Sequence, residues 1–220
     1  MTRPRQLVVV TGTGTEVGKT WVTARLAEVL VAQGRSVVAR KPVQSFASDD
    51  RETDADVLAA ATRDDARAVC PPGRWYEAAM APPMAAEVLG RAPFTIGDLV
   101  TELAWPDHAD VGLVEGAGGA RSPLAADGDT VDLAAALAPD EILLVADPGL
   151  GTINAVRLAH PVLATVAPVT VVLNRYHDTD DLHTRNRQWL EQRAGMDVAV
   201  DLDEIVLRLS PSWGGFRDAP

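Results

Sequence analysis

Residues 12–20 read Gly-Thr-Gly-Thr-Glu-Val-Gly-Lys-Thr and follow a short β-branched run at 7–11. A strand, a glycine-rich turn and a helix start in that order make a cradle for phosphate. The glycines let backbone N–H groups converge on phosphate oxygens, and the helix adds the positive end of its dipole. Lys19 is placed to neutralise the outer phosphates of a nucleotide, and the Thr20 hydroxyl to ligate magnesium. The strict phosphate-loop pattern puts its first glycine at position 13. Thr13 stands there and Gly12 one residue earlier, so this loop is one residue longer than the pattern. A dinucleotide-binding reading fails, because the glycine expected after Gly12-x-Gly14 comes one position too late, at Gly18.

Other residues with usable chemistry lie at the ends of apolar runs. Lys41 follows the run at 36–40 and precedes Pro42, which biases it toward an extended backbone. There it points over the same crevice as Lys19, and two lysines around one phosphoryl group stabilise charge that develops in transfer. Glu115 ends the apolar run 111–114 and leads directly into Gly116-Ala117-Gly118-Gly119, where a phosphate-loop protein needs its strand-end carboxylate for magnesium. Asp54 opens a helical pattern through Leu58, where the helix dipole favours a carboxylate. Leu150-Gly151-Thr152-Ile153-Asn154 makes a second anion-friendly helix start. A substrate carboxylate fits there, and helix capping explains Thr152 and Asn154 equally well. Asn174, after the run at 169–173, is either a reader of a nucleobase edge or a turn residue.

The elements that must position these residues alternate along the chain. Strands are expected at 7–11, 36–40, 111–115, 142–147, 169–174 and 198–200. Helical spacing runs from Lys19 to a stop at Gly34, and again over 130–138, 152–166 and 180–193. Pro161 inside the 152–166 pattern predicts a kink or a late start. The alternation predicts an α/β fold, a mostly parallel sheet with helices on both faces, whose ligands sit at the carboxyl ends of the strands. Residues 45–83 are the least regular and read as loops and short helices. The 220 residues are expected to form one phosphate-loop domain, with 210–220 as a loose tail.

Composition narrows the partners. The net charge of −11 argues against a sequence-independent grip on nucleic acid and against adhesion to an anionic membrane. The lone cysteine, Cys70, excludes an intrachain disulfide and reads as a packed thiol. His108, His160, His177 and His183 show no metal-site spacing. No apolar run approaches the ~18 residues of a membrane span, and the run after the N-terminus is too short for a signal core, so a soluble cytoplasmic protein is expected.

Taken together, the segments GTGTEVGKT (12–20), KPVQS (41–45), TDA (53–55), VEGAGG (114–119) and GTIN (151–154) resemble dethiobiotin synthetase, in the order that family has them. The resemblance implies an ATP-dependent enzyme of biotin biosynthesis. It would join carbon dioxide to 7,8-diaminononanoate through a carbamate and a carbamic-phosphoric anhydride, releasing ADP and phosphate. It implies that Glu16, Val17, Gly18, Lys19 and Thr20 contact the triphosphate, and that Thr20, Asp54 and Glu115 share Mg2+. Gly116, Ala117 and Gly118 would lie beside the nucleotide, with Asn174 near the base. Lys19 and Lys41 would hold the carbamate and γ-phosphate, and Thr15 and Ser45 the diamine. Members of that family act as homodimers, so Leu150, Gly151, Thr152 and Asn154 would reach substrate across the interface. The family's Pro-rich base-contacting turn has no counterpart around 198–203, which leaves room for nucleoside triphosphates other than ATP. Two alternatives share the phosphate loop. A ParA-like switch ATPase carries a signature lysine near the loop's start, where this chain has Gly12-Thr13-Gly14. The corrinoid amidotransferases add a glutaminase domain, for which 220 residues leave no room.

Overall fold

Leu7, Val8, Val9 and Val10 are almost wholly without exposed surface, as a continuous apolar run requires when a strand is covered on both faces. In the computed structural model, which describes residues 3–209, this strand is β1 (Gln6–Gly12). It is followed by α1 (Lys19–Ala32), β2 (Val37–Arg40), β3 (Gln44–Ser45), α2 (Asp54–Thr62) and α3 (Ala66–Val69). Next come β4 (Trp75–Tyr76), α4 (Pro82–Val88), α5 (Ile96–Glu102), β5 (Val111–Glu115), β6 (Pro123–Ala125) and β7 (Gly128–Asp129). The described chain then runs through α6 (Thr130–Leu137), β8 (Glu141–Ala146), α7 (Thr152–Leu163), β9 (Val169–Leu173), α8 (Asp181–Gln192), β10 (Asp197–Ala199) and α9 (Leu202–Leu209).

Six strands form one sheet in the order β10-β9-β8-β1-β5-β2, and every pairing in it is parallel. Side chains alternate between its faces. Leu7, Val9, Val114, Leu144 and Val171 pack with Leu99 of α5, Leu133 of α6, Leu163 of α7 and Leu190 of α8. Val8, Val10, Leu113 and Val145 pack on the other face with Leu26 of α1, Leu58 of α2 and Ile205 of α9. Each fully buried leucine contributes roughly 1.5–3 kcal/mol. Cys70 belongs to this second core, and burial pushes its thiol up to about 12, as suits a packed cysteine.

All six expected sheet strands are present, displaced by a residue or so at their ends. Two differences stand out. Pro161 does not delay α7, which starts at Thr152 and ends at Leu163 rather than at 166. The proline sits in the last turn, where one missing N–H interrupts little of the ladder. Helices α4, α5 and α9 were not expected, since each is only two turns long and too short to establish a period. The expected tail at 210–220 lies outside the described residues.

Candidate active site

Because β5 lies between β1 and β2, the sheet order brings the loop after β1, the acid ending β5 and the lysine following β2 to one edge. The three come from distant parts of the sequence and meet only through this crossover. The resulting cleft has a volume of about 880 Å³.

The loop after β1 is shaped for an anion. Gly12 has no room for a side chain, since a Cβ would lie 2.8 Å from Val17 Cγ2. Gly18 is the N-cap of α1, has φ +91° and offers no side-chain cap, so the first-turn N–H groups of α1 are left to a ligand. Side chains cap α2, α5, α6 and α8 instead. Lys19 folds back so that Nζ donates to the Gly14 carbonyl at 3.0 Å. Burial, reinforced by Lys41, lowers its pKa from the usual lysine value.

Beneath the loop lies a compact charged group. Lys41 Nζ is 2.6 Å from Asp54 Oδ2 and 2.7 Å from Glu115 Oε1, and it donates to the Gly116 carbonyl at 3.0 Å. Burial works against its charge, but Glu115 and Asp54 outweigh that penalty and hold the ammonium well above the usual lysine value. Burial would likewise raise Asp54, yet Lys41 and the Thr20 hydroxyl keep its carboxyl below the usual range. Thr20 Oγ1 lies 2.9 Å from Asp54 Oδ1 and 2.8 Å from Glu115 Oε1. One hydroxyl proton serves one of those two contacts at a time, which leaves an oxygen–oxygen contact without a hydrogen. Glu115 is wholly buried, and its Oε2 has no hydrogen-bond partner. A hydroxyl and two carboxylates converging with too few protons suit a hard cation such as Mg2+.

Of the residues expected in the site, Thr15, Glu16, Gly18, Lys19, Thr20, Lys41, Ser45, Asp54, Ala117 and Gly118 line the cleft. Glu115 supports it from below through Thr20 and Lys41. Val17 turns toward the core on the α1 face. Gly116 serves packing: a Cβ there would meet Thr130 Oγ1 at 2.6 Å. Asn174 donates its amide to the Val17 carbonyl at 2.9 Å and so braces the loop. Leu150, Gly151, Thr152 and Asn154 stand apart from the cleft, at the end of β8 on the far side of β1. Capping does not explain them, because the N-cap of α7 is Gly151 at φ +95° with no side-chain cap. Leu150 is 94 % exposed, and the buried Thr152 Oγ1 has no partner.

Eight lining residues escaped the sequence: Asp50, Ala79, Met80, Ala81, Pro82, Ser122, Pro123 and Arg175. Met80 is held by its carbonyl, which accepts from Ser45 Oγ at 2.6 Å. Ser122 Oγ accepts from the Gly119 N–H. Arg175 reaches the Glu16 carbonyl at 3.3 Å and stands 3.9 Å from Asp147. Only Arg175 had a signal, its position directly after a strand-end asparagine.

The parallel order, the glycine-capped phosphate loop and the strand-end acid define a P-loop nucleotide-binding protein. A family model described as an AAA domain matches residues 6–206. Among solved structures, a plasmid partition protein from Borrelia burgdorferi superposes with a TM-score of 0.57 at 8 % identity, over 96 % of this chain and 99 % of that one. The septum site-determining protein MinD of Pyrococcus horikoshii, complexed with Mg-ADP, gives 0.51 at 19 % identity, over 89 % and 79 %. Both show the fold alone. Sequence relatives are more specific. The ATP-dependent dethiobiotin synthetase BioD of Streptomyces avermitilis is 38 % identical over 190 residues, covering 81 % of this chain and 75 % of the relative. That of Rhodococcus erythropolis is 36 % identical over 225 residues, covering 97 % and 98 %. The chain belongs to the ATP-dependent dethiobiotin synthetase family.

Proposed function

We propose that the protein closes the cyclic urea of dethiobiotin from 7,8-diaminononanoate, carbon dioxide and ATP. The observation that carries this reading is the convergence of Lys19, Lys41, Thr20, Asp54 and Glu115 on the phosphate-loop cleft. One amine adds to carbon dioxide, forming a C–N bond and losing a proton, to give a carbamate. A carbamate oxygen attacks the γ-phosphorus and ADP leaves, which makes a carbamic-phosphoric anhydride. The second amine attacks the carbonyl carbon, the C–O bond to phosphate breaks, and ring closure releases phosphate and a proton.

The chain's own groups position and neutralise rather than react covalently. Backbone N–H groups from Glu16 to Thr20 hold the triphosphate. Lys19 and Lys41 bind the carbamate and the transferred phosphoryl group. Thr15 and Ser45 face the diamine. Thr20, Asp54 and Glu115 would hold Mg2+, which when bound offsets charge on the phosphate oxygens. Leu150 to Asn154 would meet the diamine's tail carboxylate in a partner subunit of a homodimer. The exposed Leu150 and the unpartnered Thr152 hydroxyl support that assignment. No helix among the described residues is long and apolar enough to cross a membrane, and we place the reaction in the cytoplasm, acting on small molecules. The site draws on β1, β2 and β5 of one continuous sheet, which supports reading the chain as a single domain.

Phosphate release from ATP and Mg2+ tests this reading. It should require both the diamine and bicarbonate. Release that depends instead on DNA or a protein activator would transfer the chain to the switch ATPases.

A further inference from the structure

Lys41 bridges the two carboxylates of the candidate site. Its ammonium lies within hydrogen-bond distance of three oxygens, from Asp54, Glu115 and the Gly116 carbonyl, and only 2 % of its side chain is exposed. Two of those oxygens belong to the carboxylates that, with Thr20, form the cation-suited cluster. The ammonium therefore satisfies the electrostatic demand that a divalent cation would otherwise meet. Glu115 Oε1 contacts both Lys41 and Thr20, so an entering metal meets an oxygen already engaged. A dication and an ammonium on the same two carboxylates repel one another, most strongly at the wholly buried Glu115.

We propose that Lys41 is the resident counter-ion of the metal-ligand carboxylates, and that metal entry releases its ammonium from Asp54 and Glu115 into the cleft. Metal loading and delivery of Lys41 to the phosphoryl group are then one event. The inference rests on Thr20, Asp54 and Glu115 being the metal ligands. The choice of residue agrees with it. Of the chain's 20 cationic Lys and Arg residues only two are lysines, Lys19 and Lys41, and both are here. A lysine is a compact charge on a flexible stem that can leave, whereas an arginine fork would hold the carboxylates in two parallel bonds.

The test is Mn2+ binding to the full-length, nucleotide-free protein, followed by electron paramagnetic resonance. Lys41→Met should bind Mn2+ about tenfold or more tightly than wild type, because no ammonium competes, and Lys41→Arg should bind it more weakly. Asp54→Asn controls for the site itself. Equal affinity in wild type and Lys41→Met, with Asp54→Asn weakened, overturns the exchange while sparing the metal site. Mn2+ binding untouched by Asp54→Asn overturns the metal site and the exchange together. Lys41→Met leaves Glu115 buried without a cation and stands to fold poorly, so the wild-type protein supplies a second readout. With only two ε-amines in the chain, mass spectrometry after amine acetylation resolves each of them. Mn2+ should raise labelling at Lys41 several-fold relative to Lys19. Labelling of Lys41 unchanged by saturating Mn2+ contradicts the release.

Discussion

Asn174 Nδ2 donates to the Val17 carbonyl at 2.9 Å, tying the end of β9 to the phosphate loop across 157 residues of sequence. The same amide nitrogen fixes the identity of the next loop residue. A Cβ on Gly18 would lie 2.1 Å from it, and Gly18 has φ +91° besides. Gly18→Ala should weaken ATP binding at least tenfold, measured by calorimetry. Adding Asn174→Ala should restore part of the loss by removing the collision but not the backbone strain, which costs on the order of 1–3 kcal/mol. Equal affinity in the wild type and Gly18→Ala would mean that the loop is not held this way.

The role proposed for Lys41 is separable from nucleotide binding. Lys41→Ala should lower kcat by about 10²–10³ while changing ATP affinity little, because its charge acts on the group being transferred. Paired losses in kcat and nucleotide affinity would make Lys41 a binding residue instead.

The phosphate loop, the strand-end acid Glu115 and Lys41 were legible because each lies at the carboxyl end of an expected strand. In a parallel sheet that position alone points it at the ligand edge. The opposite wall was not legible. Ala79, Met80 and Pro82 come from an irregular stretch whose place is set by the short β3–β4 pairing and the Ser45–Met80 hydrogen bond. Such long-range contacts leave no period in the sequence. Asn174 was legible as a strand-end residue, but its grip on Val17 depends on β9 standing two strands from β1, which the pattern of strands and helices does not specify.

The ion pair beneath the loop has a directional pH signature. Lys41 keeps the folded-state pKa of Asp54 below its unfolded value, so the folded protein binds this proton less readily. The pair's stabilisation is therefore in force above the ordinary carboxylate range and fades as pH falls through the lowered value. Between pH 6 and pH 3, Tm should fall less in Asp54→Asn than in wild type. A steeper fall in the variant would reverse the sign of the interaction.

Discrimination among nucleobases is expected to be weak. The amide nitrogen of Asn174, the candidate base reader, is engaged by Val17, which supports a bracing role over selection. ATP, GTP and CTP should compete for the cleft within about tenfold of one another, a spread of ~1.4 kcal/mol. A strong preference for ATP in competition binding would show that the base is read.

Oxygen transfer tests the proposed chemistry most directly. If a carbamate oxygen attacks the γ-phosphorus, that oxygen leaves with phosphate when the ring closes. With ¹⁸O-labelled carbon dioxide, 7,8-diaminononanoate, Mg2+ and unlabelled ATP, each phosphate released should carry one ¹⁸O, in step with dethiobiotin formed. Phosphate free of label would mean that water or another nucleophile takes the phosphoryl group, and the cleft would not couple ATP cleavage to ring closure.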